Sequence, residues 1–231
     1  MRSARSSKTS FVDQERRAQA EWLARHRPDH VRPEAAYRLQ PGRRSENLAP
    51  GLGANVESYF KRYGIAWHRH ADHGLSSQVC CLNFLAPLAR RPELLSHIVG
   101  GALDIAPPTM RPVETGPEGE PWFVGFEWTG RANHLGEWPT GAAAATRGAN
   151  ATSADAVVMF ENQGRRETLL IEWKYTESYG APLNGKGNDK RRSRYADKTF
   201  APDGPIRSDL GLDLGDFFWE PFYQLLRQQM L

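Results

Sequence analysis

The chain reads as an α/β (α+β) protein in which short helices precede and follow a small group of strands. Three observations predict this. Two apolar runs, residues 153–160 and 168–175, flank Asn162-Gln163-Gly164, whose turn chemistry makes the pair a β-hairpin. Ahead of them stand helix starts, with Ser76-Ser77 as a cap and Pro92 at a first turn. After them an apolar, aromatic stretch closes the chain with a helix from Pro221. The 231 residues suit one domain with appendages or two small ones. The expected division is a tail, helix and proline-rich segment over 1–53 and a globular part over 54–231.

In order, residues 1–10 are basic and serine-rich and are expected to be disordered. Residues 12–26 set Trp22 and Leu23 among Glu, Arg, Gln and Ala, a helix of modest amphipathicity. Pro28, Pro33, Pro41 and Pro50 then break the chain, so 27–53 reads as a wrapping segment. A short helix over 55–63 stops at Gly64. A second runs from Gln78 to about Ala86, bent by Pro87, and a third from Glu93 to the Gly100-Gly101 region. Residues 121–128 form the first clear strand, with Glu127 near its end. A Gly/Ala-rich loop over 130–152 carries Glu137 and Arg147. Residues 184–198 hold many cations, among them Lys190, Arg191, Arg192 and Arg194, and their glycines predict a flexible loop.

Composition excludes several classes. No apolar run approaches the roughly 20 residues that span a bilayer, and no hydrophobic signal core opens the chain, so no membrane partner and a cytoplasmic setting are expected. Cys80 and Cys81 are adjacent, cannot form an ordinary disulfide and fit a reducing compartment; no Cys-x-x-Cys pair offers a zinc knuckle. The net charge of +3 does not by itself argue for nucleic acid.

Charge interrupts the hairpin where a buried strand would lack it. Glu172 and Lys174 share one strand face, about 6.7 Å apart, while Trp173 points away. Pairing brings Asp155 across from them. Two carboxylates this close repel and call for a divalent cation, and the lysine can hold or deprotonate a water or stabilise charge on a phosphate.

Asp155 followed by Glu172-Trp173-Lys174 resembles the PD-(D/E)XK nuclease superfamily, with Ala154 where that signature has proline. The wording Ser-Ala-Asp-Ala and Ile-Glu-Trp-Lys-Tyr-Thr-Glu looks like its restriction-endonuclease-like branch, as does the helix around Gln78. The resemblance covers roughly residues 65–231. It implies a mixed central sheet flanked by helices, with a helical, irregular N-terminal extension, and an α-β-β-β-α-β core for whose last strand this chain leaves no room. It implies Mg²⁺, with Mn²⁺ as a substitute, held by Asp155 and Glu172, with Glu127 as a third carboxylate. Lys174 would be catalytic, Gln78 and Gln224 would assist, and Asn83 is the second choice on its helix. Arg147, Lys190, Arg191, Arg192 and Arg194 would meet the backbone of double-stranded DNA. Two cuts on a duplex favour a homodimer.

Other readings stand beside this endonuclease. The hairpin with a surface Glu–Lys pair is one, and a DNA-binding module with an incomplete site is another. A third is a zinc-dependent hydrolase, because His68-x-His70-x-Asp72-His73 matches the string of metallo-β-lactamase-like enzymes. Those enzymes need two more histidines and another aspartate downstream on separate loops; after His73 only His97 and His134 remain, and His97 falls in an expected helix.

Overall fold

The computed structural model describes residues 10–149 and 151–231. The tail read over 1–10 lies outside them except for Ser10, whose hydroxyl accepts from the Asp13 N–H and caps α1 (Phe11–His26). The proline-rich segment folds into a small antiparallel ladder, β1 (Val31–Arg32) and β2 (Ala35–Leu39). Leu39 is fully buried, and its N–H donates to the Asp72 carbonyl at 2.8 Å, which ties this segment to the turns ahead of α3.

Three helices follow: α2 (Gly53–Tyr63), α3 (Ser77–Leu85) and α4 (Pro92–Leu103). Ser76 caps α3 by accepting from the Val79 N–H. Helix α4 does not stop at Gly100-Gly101 as expected; it continues to a left-handed cap at Asp104 (φ 53°). Gly100 serves close packing instead. A Cβ there would lie 3.0 Å from the Ile105 carbonyl oxygen, where the chain turns back.

The strands are β3 (Thr109–Arg111), β4 (Glu114–Thr115), β5 (Pro121–Trp122), β6 (Val124–Trp128), β7 (Ala154–Asn162) and β8 (Arg165–Ile171). β4 and β5 pair only with each other. β7 is the axis of a four-stranded sheet. Along one edge β6 pairs with its first half and β3 with its second; β8 pairs along the other edge. Every one of these pairings is antiparallel. Gln163 and Gly164, both at positive φ, make the two-residue turn between β7 and β8. Among the described residues nothing pairs with the outer edge of β8, and no further core strand follows it. Arg165, Arg166 and Glu167 keep that edge charged and exposed, which discourages edge-to-edge association.

Alternation along β7 sends Ala156, Val158 and Phe160 into the main core, against Val79 and Leu82 of α3 and Tyr59 and Phe60 of α2. A second, smaller core gathers Tyr195 of α5 (Asn188–Thr199) and Tyr223 and Leu226 of α6 (Phe222–Gln228) around Leu214 and Phe218. The basic stretch expected to be a flexible loop is therefore largely helix. Its glycines precede the helix, Asp189 and Lys198 suit its two ends, and Tyr195 and Thr199 bury one face. Among the described residues no helix is long and apolar enough to cross a membrane.

Candidate active site

The sheet register builds the site. β6 sets Phe126 opposite Ala156 and Trp128 opposite Ala154, so Glu127 falls beside Asp155. β8 sets Ile171 opposite Ala156, and one residue further Glu172 reaches the other side of Asp155. The second strand ends at Ile171, earlier than the run to Tyr175 that the sequence predicts. The cause is local: the Trp173 N–H donates to Asp155 Oδ2 at 2.7 Å and not to a neighbouring strand's carbonyl. Asp155 thus terminates the ladder, and Glu172 and Lys174 project from extended chain beyond it.

Lys174 Nζ forms an ion pair with Glu172 Oε1, and Glu172 Oε2 accepts from Gln228 Nε2 of α6. Gln228 also donates to the Ser153 carbonyl at 3.0 Å, so α6 clamps the strand that carries Asp155 to the one that carries Glu172. Burial, reinforced by the charge of Glu172, pushes the Asp155 carboxyl up to about 7, against the pull of the Trp173 N–H. Burial opposes the charge on Lys174, but its hydrogen bond to Glu172 prevails and holds its pKa above the ordinary value. Lys174 is therefore a fixed cation at neutral pH.

Glu127 is 3% exposed and sits at φ 48°, a left-handed backbone that costs energy outside glycine. Its Oε1 accepts from Gln78 Nε2 at 2.8 Å and contacts His68 Nε2 at 3.1 Å, and its Oε2 accepts from Ser153 Oγ at 3.2 Å. Gln78 Oε1 in turn accepts from the His68 N–H at 2.9 Å. The hydrogen bond that His68 Nε2 donates to Glu127 raises the His68 pKa. Gln78, His68 and Ser153 thus hold Glu127 as a brace behind Asp155, and among the described residues it does not join Asp155 and Glu172 in a three-acid ligand set.

Asp155 and Glu172 form a donor set that suits a hard divalent ion. Mg²⁺ is commonly held by one or two carboxylates and keeps several waters. The buried Glu172 Oε1 has no well-aligned hydrogen-bond donor beyond the Lys174 ammonium, and its charge acts on the neighbouring Asp155 carboxyl, so two carboxylates share one partly buried place. These two residues fit the group. The histidine string, by contrast, disperses: His68 serves Glu127, Asp72 pairs with Arg32, and His73 Nδ1 accepts from the Leu75 N–H at 3.0 Å. Among the described residues no three His, Cys, Asp or Glu side chains converge as a ligand set, so the zinc reading finds no centre.

The remaining expected residues fall in different places. Gln224 is half-buried on α6, and Gln228, one turn later on the same face, makes the contact with Glu172. Asn83 accepts from the Ala49 N–H at 2.7 Å and donates to the Asn47 carbonyl, a role in holding the N-terminal segment. Arg147 was read as a phosphate contact; it is instead 8% exposed, paired with Glu114 at 2.7 Å and bonded to the carbonyls of Phe126 and Glu127. Glu137 accepts from Thr152 and Tyr195, joining the long loop to α5. Arg191 lies over Tyr223 and Arg192 pairs with Asp213, while Lys190 is exposed and Arg194 half-buried. Ser153 and Gln228 escape the sequence reading, and His68 enters it only as a member of the candidate zinc string. The signal for His68 was the histidine string itself, taken as one ligand set when its members serve separate partners.

No curated protein and no solved structure matches the chain. One family model does, described as Restriction Endonuclease associating with ARP, and its match runs over residues 15–231. A match over nearly the whole chain, together with an acid-x-Lys hairpin built as above, places this protein in the REase-ARP family of restriction endonucleases.

Proposed function

We propose that the chain is a Mg²⁺-dependent endodeoxyribonuclease of the PD-(D/E)XK type that hydrolyses phosphodiesters of double-stranded DNA in restriction or defence, with Mn²⁺ able to replace Mg²⁺. The observation that carries this reading is the meeting of Asp155, Glu172 and Lys174 at one end of the β7–β8 hairpin. The family supports the substrate class. Asp155 and Glu172 would hold the ion, which when bound supplies Lewis-acid charge and a polarised water.

The protein's own groups do the rest. The Trp173 N–H and Gln228 fix the two carboxylates before any substrate arrives, which is the preorganisation that hydrolysis needs. Lys174, held cationic, donates to the attacking water and offsets charge on the phosphorane oxygens; its raised pKa argues against a role as proton acceptor. Lys190 on α5 is an exposed cation for backbone phosphates, and such contacts position without reading sequence. A cytoplasmic homodimer would cut both strands.

Nicking of supercoiled plasmid in Mg²⁺ by the wild-type chain and by Lys174→Ala tests the assignment. Loss of at least about a hundredfold in rate with DNA binding retained is the expected result. Undiminished nicking by Lys174→Ala would remove it.

A further inference from the structure

Beside the carboxylates lies a second polar cleft, of about 530 Å³, that the reading above leaves unused. Arg16 of α1, Arg38 of β2, and His68, His70 and His73 line it, and Thr176 closes one side. It adjoins the cutting centre at two places. His68 carries its wall to Glu127, and Thr176 stands two residues beyond Lys174.

Its cations outnumber its acids, with Arg16 and Arg38 against one carboxylate, Glu177. Burial opposes the charge of Glu177, but hydrogen bonds from Ser77 and from the Tyr175 N–H at 2.9 Å hold it ionised, and the Thr176 N–H adds another at 3.1 Å. Asp72 is taken up by Arg32, and Arg16 pairs with the half-exposed Asp13 at 3.3 Å and stands over the Tyr37 ring. Arg38 has no carboxylate partner among the described residues. Its guanidinium stands over the Tyr37 ring, and its Nε is sealed from solvent without a hydrogen-bond acceptor. The rest of this half-exposed side chain lines the cleft without a protein carboxylate to offset its charge. His73 reports the same field. Burial first, then the charges of Arg38, His70 and Arg16, push its pKa down to about 4.

We propose that this cleft seats a phosphate of the DNA backbone next to the one that is cut, with Arg38 as its main donor, Arg16 as a flanking cation and His70 as a flanking hydrogen-bond donor. The proposal rests on the nuclease reading and adds the substrate contact that sets the strand's register against Asp155 and Lys174. Arg38 suits the task because its planar fork matches two phosphate oxygens. The N-terminal segment, through α1 and β2, thereby becomes part of the substrate surface.

The test is the affinity of a labelled duplex across a salt series, measured in a Lys174→Ala background with Mg²⁺ so that DNA is bound and not cut. Adding Arg38→Ala should weaken binding about tenfold, equally for unrelated duplex sequences, and flatten the slope of log affinity against log salt by about one. Arg38→Lys should fall between. His70→Ala, at an exposed residue whose ring meets that of His73 edge-on at 6.4 Å, should weaken binding severalfold and move the melting temperature by less than about 2 °C. Unchanged affinity and slope in both Arg38→Ala and His70→Ala would overturn the proposal, as would a chain that binds no duplex. So would a melting shift with inorganic phosphate that depends on Arg38 while DNA affinity does not, since that marks a site for free anions. Plasmid nicking by the chain with Lys174 intact separates the two ideas. Nicking with unchanged duplex binding in the variants sinks only the cleft, whereas absent nicking sinks the nuclease reading and leaves the binding series to judge the cleft.

Discussion

Asp155 has a carboxyl raised from 3.8 to about 7 by burial and by Glu172, and this sets a pH dependence with a definite sign. Between those values the folded chain holds a proton that the unfolded chain has released. Stability of the metal-free protein therefore falls as pH rises from about 4 through 7. Asp155→Asn removes that titration and keeps an oxygen to accept from the Trp173 N–H. The variant should melt higher than wild type at pH 8 in chelator, by about 2–4 °C for each kcal/mol recovered, with the gap closing toward pH 4. Added Mg²⁺ should raise the wild-type melting temperature at pH 8 and leave the variant unmoved. Equal melting of the two proteins at both pH values would contradict this origin of the shift. At this scale Asp155, Glu172 and Lys174 were legible because strand alternation and hairpin pairing are local rules. Gln228 was not: it and Gln224 share a helix face, and choosing between them requires knowing which turn of α6 meets the sheet.

The elements show how the carboxylates are braced. The long loop before β7 looked free in sequence because it is rich in glycine and alanine, yet its end is locked. Arg147 reaches the carbonyls of Phe126 and Glu127 and pairs with Glu114, and Tyr59 donates to Glu114. Gly148, at φ 71°, lies so close that a Cβ would stand 2.8 Å from the Ala66 carbonyl oxygen and 3.3 Å from Glu127 Cδ. Arg147→Ala would strand the Glu114 carboxylate, whose side chain is 12% exposed, and should cost about 3–5 kcal/mol in denaturant unfolding. A change below about 0.5 kcal/mol with weakened DNA binding would return Arg147 to the surface role first read for it. Helix and strand positions followed from capping serines, prolines and apolar alternation. Helix α5 was missed because glycine and dense charge resemble a loop until Tyr195 and Thr199 find a core to enter.

Over the whole molecule, two cores meet at the site. The sheet and α2–α4 supply Asp155 and its braces, and the smaller α5–α6 core sends Gln228 across to Glu172. The N-terminal segment closes from a third side. Tyr175, next to Lys174, donates to Glu15 and accepts from Gln19 of α1. Such long-range contacts are invisible to patterns of seven or eight residues, so the reading of 1–53 as a segment apart could not show what it touches. The most direct measurement of the central claim is conversion of supercoiled plasmid by the metal-stripped chain, before and after Mg²⁺ is returned, for wild type and Glu172→Gln. The expected result is no conversion without the ion, conversion with it, and none from Glu172→Gln in either condition. Cleavage in the absence of divalent ions, or undiminished cleavage by Glu172→Gln, would contradict the account.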